Sequence, residues 1–412
     1  MTPLRSRRVI FIAAAGGLVL RLLFGFVYWT GKPLTQDERE YLSLAESLAS
    51  GRGFSYTEPY DSGTGQRFAR APGYPAFLSL LRANNDSGAA PAGVKFVQPF
   101  LGAIVILMIA LLARNAAGPR AGVAAAILAA VYPPLVWLSA YVLSESLYMP
   151  LALGSVLLLD ASTRRMDAAD GSRAGGALAI AAGAVAGLAI LVRGAMLLFL
   201  PLAALWLMKR KQLTLALALV VTALTVVAPW TLRNLHTYRR LVLVAADGGV
   251  TFWTGNHPLA RGEGDLAANP EIKRAEIEFR AAHPGLTAEA LEPLYYKDAL
   301  SRIAGRPGWW LGLLARKAFY TVVPIGPSYT LHSTRYLLTT VVPYALLVPA
   351  AWAGFIISSR HGRPPVPLYL LGAATLLTCL IFFPQERFRI PAIDPIVIVG
   401  AAAAIGIAPR KR

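Results

Sequence analysis

The sequence predicts an all-α polytopic membrane protein with a bundle of about ten transmembrane helices. Three observations carry that expectation. Of 412 residues, 56% are hydrophobic and 15% charged, against roughly 25% charged in an ordinary soluble domain. Apolar stretches near the ~20 residues that cross a bilayer recur along the chain. The short connectors between alternate stretches are basic, as the positive-inside rule requires. That rule also accounts for most of the formal net charge of +18. No basic stripe interleaved with aromatics is present on a soluble segment, so nucleic acid is not an expected partner. The single cysteine, Cys379, lies in an apolar run. It leaves no intramolecular disulfide to form and points away from thiol chemistry.

Each element follows in order. Arg5, Arg7 and Arg8 precede the apolar run Val9 to Trp29 and assign the N-terminus to the cytoplasm. The run is long and has no small-x-small cleavage site before Lys32, so it is expected to be an uncleaved first helix rather than a secretory signal. Arg21 interrupts it and must face protein or snorkel outward. Residues 31–93 form a first external loop. Further spans are expected at 94–113, 121–139, 143–159, 174–192, 194–208 and 212–230, with Arg114 to Arg120, Thr163 to Arg173 and Lys209 to Lys211 as cytoplasmic connectors. The stretch 194–208 is short and is expected to be tilted or misbounded. A second external loop covers 231–337. Within it, 307–324 carries Arg316 and Lys317 near its centre beside Trp309, Trp310, Phe319 and Tyr320, which suits an interfacial helix rather than a span. With that helix lying flat, the basic segments Ser358 to Arg363 and Pro409 to Arg412 return to the cytoplasm, and the last spans are 338–358, 366–383 and 391–408. The expectation is one membrane-embedded domain over 1–412 with no separate soluble C-terminal domain. It sits in the cytoplasmic (inner) membrane with both termini inside.

The unusual polar residues then gather on the external side. Thr35-Gln36-Asp37-Glu38 has the form of a capping box, which explains Glu38 as a helix cap. Asp37 shares a helix face with Tyr41, Leu44 and Leu48, so it is directed toward the membrane domain, where a merely solvating acid would not be placed. Gly51-Arg52-Gly53 ends that helix. Glu145, between Ser144 and Ser146, is the single charged residue between Arg120 and Asp160. Neighbouring serines could satisfy it, but an ionisable group in an apolar stretch is a site candidate. Arg70 precedes Pro72, Gly73, Tyr74 and Pro75, residues that predict a rigid turn. Arg193 breaks a long apolar stretch, and Arg387 lies in the last external turn. Guanidinium groups at a membrane edge suit phosphate, although each alone equally suits a lipid headgroup. Gly248-Gly249 and Gly255-Asn256-His257-Pro258 flank Phe252 and Trp253 and predict a tight external loop, a sugar contact or an interface anchor. His257 alone makes no metal site. A divalent cation would have Asp37 and Glu145 as its carboxylate ligands, and the sequence does not decide whether one binds.

These motifs together resemble the GT-C glycosyltransferases. The resemblance is carried by Asp37-Glu38 with Tyr41, Ala45, Leu48 and Gly51-Arg52-Gly53-Phe54, then by Arg70-Ala71-Pro72-Gly73-Tyr74-Pro75 and Ser144-Glu145-Ser146-Leu147. Pro229-Trp230-Thr231-Leu232-Arg233-Asn234, Gly248-Gly249 with Gly255-Asn256-His257-Pro258, and Arg387-Phe388-Arg389-Ile390-Pro391 complete it. The branch it looks most like is that of the protein mannosyltransferases, aminoarabinose transferases and bacterial galacturonic acid transferases. It implies a polyprenyl-phosphate-linked sugar donor, a lipid, glycan or protein acceptor, and transfer on the external face. It implies Asp37 as catalytic base, Glu145 as a second acid and Arg70 as a phosphate contact. Glu38, Tyr41, Tyr74, Arg193, Asn256, His257 and Arg387 are the further substrate-binding candidates. One departure is Glu40, where the aminoarabinose enzymes carry an arginine three residues after the acid.

The residues fit that chemistry on their own terms. A polyprenyl phosphate is already a good leaving group, so the site needs a base for the acceptor hydroxyl and cations for the departing phosphate. A single displacement, inverting at the sugar carbon, is expected. Rival readings are a transporter or flippase for lipid-linked glycans and a ligase or polymerase using a lipid diphosphate.

Overall fold

The computed structural model describes residues 3–56, 70–84, 88–167, 172–245, 247–264, 269–326, 333–361 and 364–406. Phe68 and Ala69 of the first loop, parts of the connectors at 163–173 and 358–363, and the tail 409–412 lie outside the described residues.

The apolar stretches fold as helices because a backbone in lipid must satisfy its own polar groups. Helix α1 (Pro3–Leu23) continues through a π-helical turn, Phe24–Tyr28. The first loop contributes α2 (Gln36–Ala49) and α3 (Gly73–Leu80). Helix α4 (Ala92–Ala117) returns, and α5 (Pro119–Val131) runs back until Pro133 and Pro134 stop it. Neither proline can supply an amide to continue the ladder. The chain turns there into α6 (Pro133–Trp137) and a 3-10 turn, Leu138–Ala140, with a 61° bend between the two pieces. Then come α7 (Glu145–Met166), α8 (Ser172–Val192), a 3-10 turn at Gly194–Leu198 leading into α9 (Phe199–Lys209), and α10 (Leu213–Tyr238). The second loop holds α11 (Gly248–Gly255), α12 (Pro270–Ala281), α13 (Ala288–Gly305) and α14 (Pro307–Val322). Helices α15 (Thr334–His361), α16 (Val366–Ile381), α17 (Glu386–Arg389) and α18 (Ile393–Gly406) complete the described chain.

Among the described residues six helices are long and apolar enough to cross a membrane, and α5 with α6 makes a seventh if the bent pair is one span. Three shorter apolar helices, Gly194–Lys209, Val366–Ile381 and Ile393–Gly406, fall at the other expected spans. The protein is therefore a multi-pass membrane protein, with a helix at each of the ten positions. Helix α14 behaves differently. Its Trp310 and Lys317 both hydrogen-bond Asn256, and Lys317 also donates to the carbonyl of Leu380 where α16 ends. A Cβ on Gly262 would meet Arg316 and Tyr320. Both halves of α14 thus lie at the end of the bundle where α16 finishes.

Small residues let the long helices approach. Helix α15 crosses α18 so closely that a Cβ on Gly354 would come within 1.8 Å of the Gly400 carbonyl oxygen, the small-residue packing typical of membrane helices. One large core runs through α1, α4, α5, α7, α8 and α10. Arg21 is buried in it and donates to the carbonyls of Gly17, Ala129 and Ala130, so it faces protein rather than snorkelling. A second, smaller core lies in the second loop around Trp253, Tyr295 and Leu313.

A candidate active site at one end of the bundle

Helix direction alone gathers the site. Asp37 opens α2, Glu145 opens α7, Arg193 follows α8, and Arg387 lies in α17 between α16 and α18. Helix α2 begins where the sequence requires. Thr35 caps it, accepting from the Glu38 amide, and Glu38 Oε2 accepts from the Thr35 amide at 2.8 Å. The other Glu38 oxygen accepts from the Val142 amide at 2.8 Å. Both oxygens of Glu38, a substrate-binding candidate in the sequence, are therefore engaged by protein groups. Glu38 ties α2 down onto the chain entering α7.

Asp37 faces a different environment. Arg70 Nη2 lies 2.5 Å from its Oδ1, and Arg387 Nη2 contacts Oδ2. Burial alone would raise the Asp37 pKa, but the two guanidinium groups outweigh it and hold the carboxyl below the usual carboxylate range. The same Arg70 donates through Nε to Glu40 Oε2 at 2.8 Å. Burial opposes the charge on Arg70 and on Arg387, yet the neighbouring acids keep both guanidinium pKa values above normal. Glu145 is fully buried and takes Arg193 Nη1 at 2.6 Å on Oε1, while Arg387 Nε stands 3.7 Å from that same oxygen. Ser144 joins the two halves: its hydroxyl accepts from Tyr41 and from Arg193, each at 3.1 Å. The Phe388 ring lies beneath both Arg193 and Arg387. The result is a closed mesh of three acids, Asp37, Glu40 and Glu145, and three arginines at one end of an apolar bundle.

The remaining candidates are distributed unevenly. Tyr41 belongs to the mesh. Tyr74 is buried one layer behind it, stacked edge-on against Tyr41 and donating to Gln98 at 2.8 Å. Asn256 and His257 bond elsewhere: Asn256 joins Phe252, Ile381, Trp310 and Lys317, and the His257 ring packs on Trp253. Burial pushes the His257 imidazole down to about 4. Two sequence expectations are corrected. The segment from Gly248 to Gly255 is helix α11, not a tight loop, because Phe252 and Trp253 pack into the second core and Gly249 allows close approach to Glu292. The turn after Arg70 opens directly into α3, where a Cβ on Gly73 would collide with the Leu191 carbonyl.

Sequence reasoning missed three participants. Glu40 has a readable signal, since it sits three residues from Asp37 on the same helix face. Gln98 has one too, as an amide inside an apolar span. Asp247 has none. It is brought close enough to Arg70, Glu40 and Asp37 to feel their charges only by the fold of the second loop, and burial pushes its carboxyl up to about 6. An apolar groove of about 460 Å³ opens between α2, α3, α8 and α10, lined by Leu48, Phe54, Pro72, Gly73, Leu191 and Trp230 among others, with Pro72 two residues along the chain from Arg70. Among the described residues no three His, Cys, Asp or Glu side chains are grouped to hold a metal ion. Arg387 bridges Asp37 and Glu145, the two acids the sequence offered for a cation. The donor set therefore does not fit a resident divalent metal.

No family model matches the chain, and no curated protein sequence does either. Solved structures do. The apo oligosaccharyltransferase of Archaeoglobus fulgidus superposes with a TM-score of 0.59 at 18% identity, covering 97% of this chain and 50% of that one. The same enzyme in complex with Zn and sulfate gives 0.60 at 17%, covering 96% and 48%. ArnT from Cupriavidus metallidurans bound to undecaprenyl phosphate gives 0.54 at 15%, covering 97% and 60%. The chain thus shares its fold, a polytopic helical membrane bundle, with the oligosaccharyltransferase and ArnT structures. The chain spans about half the length of the oligosaccharyltransferase and somewhat more of ArnT.

Proposed function

We propose that this protein is an integral-membrane glycosyltransferase that moves a sugar from a polyprenyl-phosphate donor to a lipid, glycan or protein acceptor on the periplasmic face. The observation that carries the reading is the mesh itself, Asp37 held between Arg70 and Arg387; the apolar groove lined by Pro72 and Gly73, just past Arg70 in the chain, supports it. In this reading the groove takes the isoprenoid chain. The donor phosphate takes Arg70 and Arg387, for which bidentate guanidinium geometry is suited.

The same two arginines cannot fully serve Asp37 and a phosphate at once. Donor binding therefore draws them off the carboxylate and restores its basicity. Asp37 then accepts the proton of the acceptor hydroxyl as that oxygen forms its bond to the anomeric carbon. The bond from that carbon to the phosphate oxygen breaks, and the electron pair leaves on a phosphate stabilised by the guanidinium groups. The sugar carbon inverts. Glu145 keeps Arg193 and Arg387 aimed at the site from below.

The test is transfer of radiolabelled sugar from synthetic polyprenyl-phosphate donors to envelope fractions by the purified protein in vesicles, beside Asp37→Asn. Transfer by the wild type and its loss in the variant are expected. Equal transfer by both would remove Asp37 as base. Movement of lipid-linked glycan across the vesicle without transfer would replace the enzyme reading with a transporter.

A further inference from the structure

Helix α17 is four residues long, too short for its own hydrogen-bond ladder to hold it in place. Its side chains must do so. Residues two apart on a helix point to nearly opposite sides, about 200° around the axis. Arg387 accordingly faces Asp37 and Glu145, while Arg389 faces the other way into the bundle. There Arg389 is 2% exposed, its Nε is 3.0 Å from Oδ1 of the fully buried Asp394 on α18, and its guanidinium carbon stands 4.0 Å from the centre of the Tyr344 ring on α15. Glu386, at the start of α17, accepts from Tyr336 of α15 at 2.8 Å.

A buried ion pair is poor evidence for stability, because apolar residues of the same volume usually serve as well or better. What such a pair can supply is register, and here Arg389 is tied both to Asp394 of α18 and, at 3.9 Å, to Glu386 of its own helix. We infer that Arg389 and Asp394 are positioning residues whose pairing, resting on α15 and α18, holds α17 in the one orientation that delivers Arg387 to Asp37 and Glu145. The inference rests on the proposed transferase reading for its kinetic consequence but not for its geometry.

Two variants test it. Asp394→Asn leaves Arg389 with Glu386, 3.9 Å away, as its remaining acid. The double variant Arg389→Leu with Asp394→Leu removes both charges of the pair while Glu386 keeps its hydrogen bond from Tyr336, and so guards against simple misfolding. One readout needs no activity. Cysteines replacing Asp37 and Arg387 are joined by a short bis-maleimide in nanodiscs, with Cys379 buried and out of reach. Both variants should lower the cross-linking yield severalfold while amide exchange in α4 and α7 stays protected. The second readout is the pH profile of kcat/KM, which reports the free enzyme before donor binding draws Arg387 away, on a background without added cysteines. With Arg387 displaced, Asp37 keeps Arg70 as its one cationic partner and still feels Glu40, Glu145 and Asp247. The acid limb should therefore move up by a pH unit or more, and Arg389→Lys should restore part of the shift. Unchanged cross-linking in both variants overturns the inference. So does lowered cross-linking with an unmoved acid limb. If the wild type transfers no sugar, the transferase reading fails, and the cross-linking result alone decides the anchor.

Discussion

Arg387 lies against Asp37 in the same site where it also approaches Glu145, so one guanidinium group from the last loop closes a mesh begun in the first. The two residues come from opposite ends of the chain, and neither is fully buried: each side chain is 23% exposed. This arrangement makes the resting carboxylate a weak base, since its proton affinity is suppressed by the cations that a phosphate would claim. In the proposed reaction, such a site would be neutralised when empty and become basic when the donor arrives.

Asp37→Asn separates binding from chemistry. The amide cannot accept a proton, so kcat should fall by ~10² to 10⁴, the range for removal of a general base. Donor affinity should hold or rise, because Arg70 and Arg387 no longer have a carboxylate to leave. Parallel measurement of transfer rate and polyprenyl-phosphate binding checks this. A variant that loses binding and rate together would show that Asp37 builds the site rather than running the reaction.

The Glu145 and Arg193 pair should respond asymmetrically. Glu145 is fully buried, whereas Arg193 is 18% exposed and also bonded to Ser144. Arg193→Leu leaves a buried carboxylate without its nearest cation, a situation that costs about 3–5 kcal/mol. Glu145→Gln leaves an arginine that still reaches Ser144, the Phe388 face and solvent, and should cost clearly less. Thermal unfolding of the two variants in detergent measures the difference. Equal losses would mean that Arg387 compensates for Arg193 at Glu145.

The parts of this architecture that were legible in the sequence are those written in local pattern. Hydropathy located every helix of the bundle, because lipid demands a continuous apolar run wherever the chain crosses. The capping box over Thr35 and Glu38 was legible because its partners are three residues apart. Asp37, Glu145, Arg193 and Arg387 stood out as charges beside apolar runs. What was not legible depends on distant chain segments meeting. Asp247 reaches the Asp37 neighbourhood only through the fold of the second loop. Helix α11 forms around aromatic packing that no short window contains. The pairing of Arg389 with Asp394 requires knowing that α17 turns its back to the site.

Chelation should leave activity intact. Arg387 bridges the two carboxylates that a divalent ion would need, and in the proposed reaction the positive charge for the leaving phosphate comes from side chains. Transfer in excess EDTA should remain within about twofold of the untreated rate, whereas Arg387→Gln should lower it by ~10² to 10³, the usual cost of losing one preorganised charge-stabilising group. Loss of activity on chelation with recovery on adding a single metal would overturn the guanidinium assignment.

Asp247 gives a stability signature with a definite sign. Its carboxyl is pushed up to about 6, first by burial and then by Glu40 and Asp37, with Arg70 opposing. In the unfolded chain an aspartate titrates at about 3.9. Between those values the folded protein binds a proton that the unfolded chain has released, so stability falls as pH rises through the window. Above about pH 6 the full penalty is present, on the order of 2–3 kcal/mol from a shift of about two units. Asp247→Asn removes the charge while keeping the shape. It should match the wild type at about pH 4 and be more stable by that amount at about pH 8, as measured by thermal or denaturant unfolding in nanodiscs at both values. A stability difference independent of pH would show that Asp247 is solvated in the folded protein and carries no such penalty.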